Sequence, residues 1–264
     1  MKQQKHIFDI ISLECSKKTT KVYSTSFSLA IKLLSKEYQN AIYSIYGFVR
    51  LADEIVDSFH DYNKTKLLNE LKYSTIDALE KNIILNPIIN SFQNVVKKYN
   101  IEWVLIESFL DSMEYDLTHQ NCNEQNYKKY IQGSAEAVGL MCLQVFTHNK
   151  KGKYSKLKKH AASLGSAFQK INFLRDMHED YNSLNRVYFP NLDPLPAARI
   201  IPIIIYEKNL LKIFISKSKI LEFLSGCHII PIILFFLLNI PFVMPSNDFA
   251  NTINSLTFFF VPKL

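Results

Sequence analysis

Residues Gln169 to Pro190 read QKINFLRDMHEDYNSLNRVYFP, and the rest of the chain is read outward from this stretch. Taken as helix, Gln169, Asn172, Asp176 and Asp180 recur at intervals of three and four, so they share one face. That face offers two amide oxygens and two carboxylates, a hard-oxygen surface suited to Mg²⁺. Ile171, Phe173, Leu174 and Met177 flank it and can anchor the helix in a core. Upstream, Tyr43 to Asp57 reads YSIYGFVRLADEIVD, with Tyr46, Arg50, Asp53 and Asp57 on one face by the same spacing. Two such helices facing each other could hold Mg²⁺ ions between them, and the open shells of those ions would take diphosphate oxygens. A single D-x-x-x-D pattern would be weak support. Asp57 and Asp61 form a third by chance, and paired acids on a helix are commonly a solvated face. What carries weight is the pairing of two extended stripes, each with polar partners at matching offsets.

A chain of 264 residues suits one domain, or one domain with a tail. Its net charge of +7 is spread out, and no Lys/Arg block with interleaved aromatics suggests a nucleic-acid groove. A basic surface instead suits anionic substrates or a negatively charged membrane face. Cys15, Cys122, Cys142 and Cys227 are scattered, with no C-x-x-C pair and no His at zinc spacing, which reads as free thiols in a reducing cytosol. The start, MKQQKHIFDIISLECSKK, lacks an apolar run long enough for a signal peptide, so a cytoplasmic protein is expected.

Periodicity and breakers predict an all-α chain. Helices are expected over 7–22, 36–58, Lys64–Leu85 (ended by Asn86-Pro87), Pro87–Lys98, Ile101–Asp116, 124–147 and 160–182. Tyr23 to Phe27, YSTSF, should break or cap the first helix, and Ser24, Thr25 and Ser26 could also donate to a phosphate. Asp111, Glu114 and Asp116 read as an exposed acidic end rather than as helpers of the metal site. The small residues Gly133, Ser134, Ala135 and Gly139 allow close helix packing, or leave room for a long ligand. His148 to Lys159 reads as a polar, Lys-rich connection.

These motifs together resemble the squalene and phytoene synthases, the head-to-head prenyl synthases, with the tightest likeness to bacterial phytoene synthases. The family's first acidic motif is matched by Tyr46-x-x-x-Arg50-x-x-Asp53-x-x-x-Asp57. Its second is matched by Gln169-x-x-Asn172-x-x-Arg175-Asp176-x-x-x-Asp180, followed by Arg186-Val-Tyr188-Phe-Pro190. YIQGSAEAVGLM around Tyr130 and Gly139 is similar to the family's cavity helix, and YSTSF to its phosphate-contacting segment. The resemblance covers about residues 12 to 192. It implies a single-domain helical bundle around a central cavity, the isoprenoid-synthase type. Asp53, Asp57, Asn172, Asp176 and Asp180 would hold Mg²⁺, with Mn²⁺ as the alternative ion. Tyr23, Ser24, Ser26, Arg50, Tyr130, Gln169, Arg175 and Arg186 would contact prenyl diphosphate substrates, and Tyr46 would join the four aspartates in catalysis.

The implied reaction joins two geranylgeranyl diphosphates through a cyclopropyl diphosphate to give phytoene, as in carotenoid biosynthesis, without a reductant. The alternatives are a squalene or dehydrosqualene synthase using farnesyl diphosphate, or an inactive copy. A chain-elongating transferase or cyclase fits the Gln169/Asn172/Arg175 pattern less well. Non-catalytic relatives lack the acidic motifs, whereas all four aspartates are present here. Tyr23, Phe27, Tyr43, Tyr46 and Tyr130 could shield an allylic cation from water or serve as ordinary core.

Residues 1–192 thus read as the catalytic domain, and 193–264 as a divergent, hydrophobic, Pro-rich tail. Seven of the nine prolines lie in residues 194–264, and an internal proline costs a helix about 3 kcal/mol. HIIPIILFFLLNIPFVMP is short for a spanning helix and is broken by Pro231 and Pro241, so either peripheral membrane contact or a change of reading frame would account for it. If the frame has changed, translating the DNA after codon 192 in the other two frames should recover an amphipathic continuation. Two closed frames would favour membrane contact instead.

Overall fold

The structure, a computed structural model, describes residues 2–119 and 124–183; the side chains at 2–3, 26, 124–125 and 174–183 lie outside the description. Those residues form α1 (Lys2–Tyr23), α2 (Thr25–Leu33), α3 (Lys36–Asp57), α4 (Lys64–Lys81), α5 (Pro87–Tyr99) and α6 (Trp103–Thr118). Next come α7 (Glu124–Ile131), a π-helical turn (Gln132–Glu136), α8 (Ala137–Phe146) and α9 (Lys153–Ser183). No strand occurs among the described residues, in agreement with the all-α expectation.

Helix α3 is central because it is apolar around most of its circumference. Ile42, Ile45, Phe48, Ala52 and Ile55 are buried at helical spacing, and Tyr43, Ser44 and Gly47 are buried beside them. It packs against α1, α2, α4, α5, α6 and α8. Phe48 stacks on Phe92 of α5 with ring centroids 4.0 Å apart, and meets Phe109 of α6 at 6.0 Å. Truncating a buried phenylalanine of this kind costs about 3–5 kcal/mol. Tyr43 is core, its hydroxyl donating to the Ser28 carbonyl at 3.4 Å.

Helix α1 meets α3 and α5 through small polar residues rather than through its isoleucines. Ser12, Ser16 and Thr20 are fully buried. Two of their hydroxyls bond back along the helix, Ser12 to the Phe8 carbonyl at 2.8 Å and Thr20 to the Ser16 carbonyl at 2.9 Å. Gly47 allows the close approach, since a Cβ there would stand 3.0 Å from Ser16 Cβ. Asn90 of α5 donates to Asp9 and to Ser12, both at 3.0 Å. Although burial alone would raise it, hydrogen bonds from Lys5, Asn90 and Asn94 hold the Asp9 carboxyl below the usual carboxylate range.

Several boundaries depart from the expectation. The first helix starts at Lys2 rather than residue 7. Helix α4 stops at Lys81, because Asn82 adopts the left-handed conformation (φ 64°) and caps it. Asn86 then opens α5, its side chain accepting from the Ile88 and Ile89 N–H groups, with Pro87 in the first turn. The stretch over 124–147 is not one uniform helix but is divided by the π-helical turn. The Lys-rich connection is also shorter than expected, because α9 already begins at Lys153. Leu157 is buried there, and Tyr154, Ala161, Leu164 and Phe168 pack against the same core at spacings of three and four.

Gly133 sits in the π-helical turn, where an added Cβ would overlap the Ser108 carbonyl oxygen and come within 2.8 Å of Ser112 Cβ. Gly133→Ala should therefore destabilise by about 1–3 kcal/mol in a denaturant titration. Gly139→Ala, whose Cβ would come no closer to a neighbour than 3.3 Å, at the Ala161 carbonyl oxygen, should cost clearly less.

Candidate functional site

The last three turns of α3 present Tyr46, Arg50, Asp53 and Asp57 as one stripe, and the break between α1 and α2 folds against it. Ser24 caps α2, its hydroxyl accepting from the Phe27 N–H at 3.1 Å. Phe27 stacks on Tyr46 with centroids 4.4 Å apart. The Arg50 guanidinium lies 4.6 Å from the centre of the Tyr23 ring and donates to Glu54 at 2.5 Å. The YSTSF segment is therefore both a helix cap and a wall of the stripe. Burial pushes the Tyr46 phenol up, while Arg50 and a Ser24 hydrogen bond pull the other way.

Asp53 is the most perturbed carboxyl of the stripe. Desolvation first, then the negative charges of Asp57 and Asp116, push it up to about 7, against the pull of Arg50. The partner that sequence reasoning missed is Asp116 of α6. It was expected at an exposed acidic end, yet it is buried, while Asp111 and Glu114 are exposed. The reason is helical arithmetic: Phe109, Met113 and Asp116 follow one another at four and three residues, so Asp116 falls on the core side. That spacing was the available signal. Asp111 instead takes an ion pair from Lys72 at 3.1 Å.

Asp116 also ties the stripe to the second motif. Tyr130 of α7 is buried and donates its hydroxyl to Asp116 at 2.6 Å. The Tyr130 ring meets Phe173 of α9 at 5.8 Å, and Tyr127 meets Phe173 at 6.0 Å. Phe173 is buried and directly follows Asn172. Contacts thus run from Asp116 through Tyr130 to Phe173, linking α6, α7 and α9, and the Asp116 charge reaches Asp53 on α3. Gly165 seats α9, since a Cβ there would come within 2.7 Å of the Ala135 carbonyl oxygen.

Gln169 and Asn172 are half-buried on α9. Arg175, Asp176 and Asp180 continue the same unbroken helix, but their side chains lie outside the described residues, as does the Ser26 side chain. Arg186 and the tail after residue 192 lie outside them altogether. Among the described residues no three His, Cys, Asp or Glu side chains assemble a metal site. The carboxylates of Asp53 and Asp57, one helical turn apart on α3, are hard-oxygen donors of the kind Mg²⁺ takes, and a cation there would relieve the repulsion that raises Asp53. Among the described residues Cys15 and Cys142 are free thiols, and burial pushes Cys142 up to about 12, which suits a packing role. No helix among the described residues is long and apolar enough to cross a membrane.

The squalene/phytoene synthase family model matches residues 20–193. A phytoene synthase from Mycobacterium bovis is 24% identical over 178 residues, covering 65% of this chain and 55% of that protein. A 4,4'-diapophytoene synthase from Staphylococcus haemolyticus is 25% identical over 174 residues, covering 64% of this chain and 59% of that protein. The chain therefore spans a little over half the length of the curated relatives it matches. A crystal structure of a dehydrosqualene synthase in complex with ligand superposes with a TM-score of 0.72 at 17% identity, covering 95% of this chain and 97% of that one. That likeness speaks to the fold.

Because the folded-state value of Asp53 is raised, its ionisation favours unfolding, and the stability present at low pH is lost as pH rises toward about 7. In metal-free protein at pH 8, Asp53→Asn should raise the melting temperature by a few degrees. The gain should shrink toward pH 5, where the acid is already largely neutral. A variant that melts lower than the parent at pH 8 would contradict the repulsion read from Asp57 and Asp116.

Proposed function

Because the chain belongs to the squalene/phytoene synthase family, we propose that it is a prenyltransferase that joins two allylic prenyl diphosphates head to head with release of diphosphate. The observation that carries this reading is Asp53, pushed up by burial beside Asp57 and Asp116 and flanked by Arg50 and Tyr46. Repulsion of this kind is relieved when a cation binds nearby. Asp53 and Asp57 from α3, with Asn172, Asp176 and Asp180 from α9, would hold Mg²⁺. When bound, the ion supplies charge neutralisation for the departing diphosphate.

The chain's own residues would do the rest. Arg50, already set over Tyr23, would turn from Glu54 toward diphosphate oxygens, aided by Ser24 and Ser26 and by Gln169, Arg175 and Arg186. Tyr46, Phe27 and Tyr130 would present aromatic faces to an allylic cation and keep water from it. Tyr130 is positioned for this by Asp116. The finer reading is that two geranylgeranyl diphosphates give phytoene through a cyclopropyl diphosphate. A second reading, with farnesyl diphosphate as substrate, is supported by the comparable similarity to a 4,4'-diapophytoene synthase. Residues 1–192 would form the catalytic unit and 193–264 a divergent tail.

Asp53→Ala and Asp176→Ala should each abolish diphosphate release, while circular dichroism keeps the helical signal. Normal turnover in either variant would sink the metal assignment. EDTA should stop the reaction and Mg²⁺ restore it. Purified protein given labelled C15 and C20 diphosphates should yield a C40 product, whereas a C30 product alone would move the assignment to the second reading.

A further inference from the structure

Helix α1 is built inside out. Its buried face carries Ser12, Ser16 and Thr20, whereas Ile7, Ile10, Ile11 and Val22 lie on the opposite stripe and are 49–65% exposed. Tyr23 at its end and Leu29 and Leu33 on α2 are also exposed. Of the twelve large apolar side chains exposed among the described residues, seven lie between Ile7 and Leu33, so the apolar surface is concentrated on this hairpin. An amphipathic helix that only served the core would point its isoleucines inward.

The charges on the hairpin indicate what covers it. Residues 2–33 hold six lysines against two acids. Both acids are already neutralised, Asp9 by Lys5 and Glu14 by Lys17, each at 2.8 Å. Among the described side chains that leaves Lys18, Lys21 and Lys32 exposed along the apolar stripe. A second copy would bring the same positive face against itself, which costs affinity. An anionic bilayer surface offers both an apolar depth for the isoleucines and leucines and negative headgroups for the lysines. We infer that the α1–α2 hairpin docks the protein on anionic lipid, lying in the interface without crossing it. The stripe ends at Val22 and Tyr23, and Tyr23 stacks under Arg50, so docking would place the candidate site beside the lipid surface. Only this last consequence rests on the function proposed above.

The test is flotation of the full chain with vesicles of phosphatidylcholine alone or with a third phosphatidylglycerol, in the absence of substrate or metal. The parent should float with the anionic vesicles, and added salt should weaken it. Lys18→Gln/Lys21→Gln/Lys32→Gln should bind roughly a hundredfold more weakly. Ile7→Gln/Ile11→Gln/Leu33→Gln should lose about tenfold or more. Both should keep the parent's melting temperature, because the substituted side chains are exposed. Equal binding by both variants and parent would overturn the proposal by assigning the contact to another surface. So would a parent that ignores vesicles but forms a concentration-dependent dimer in sedimentation, abolished by the isoleucine changes. Because binding is read without substrate, failure here leaves the proposed reaction untouched, and loss of turnover leaves the docking result untouched.

Discussion

The whole arrangement depends on holding carboxylates inside a helical core. A charge moved from water into protein is expensive unless something pairs with it; Asp116 is buried, and the half-buried Asp53 feels its negative charge from a helix packed against six others. Helix α3 cannot rotate to free the acid without exposing Phe48 and Ile45. The apolar packing therefore enforces the electrostatic strain, and each makes sense only with the other.

Around that constraint the neighbouring helices are pulled unusually close. Gly47, Gly133 and Gly165 remove side chains where α1, α6 and α9 approach their neighbours. Tyr130 then spans the gap between Asp116 and Phe173, so one aromatic ring serves a polar partner with its hydroxyl and an apolar partner with its face. Van der Waals contact at the glycines fixes the helix spacing, and this tyrosine fixes which residues meet across it.

Much of this was legible in the sequence. The α3 stripe, the YSTSF break and the Asn86-Pro87 start of α5 follow from helical spacing and capping chemistry. Asp116 was not read correctly, because three nearby acids look like a solvated end until their register against Phe109 and Met113 is counted. The beginning of α9 was hidden for a similar reason. Lys153, Lys156, Lys158 and Lys159 surround Tyr154 and Leu157 and mask the first turns of a sparse apolar stripe. The small residues around Gly133 allow either close packing or ligand space on sequence alone, and the distances decide for packing at Gly133. Nothing in composition distinguishes a π-helical turn from an ordinary one, since it arises from how its flanking helices must both seat.

That turn has an evolutionary consequence. A π-helical turn behaves as one residue inserted into an α-helix, shifting the phase of everything beyond it by about a third of a rotation. Tyr130 precedes the turn and Gly139 follows it, so the two answer to different helical phases: one seats against Asp116, the other against α9. Loss of a single codon within 132–136 would merge the phases and turn one of these contacts to the wrong side. The loop between Lys81 and Pro87 would absorb the same deletion by shortening. Length variation in descendants of this chain should therefore accumulate at the second place and be purged at the first.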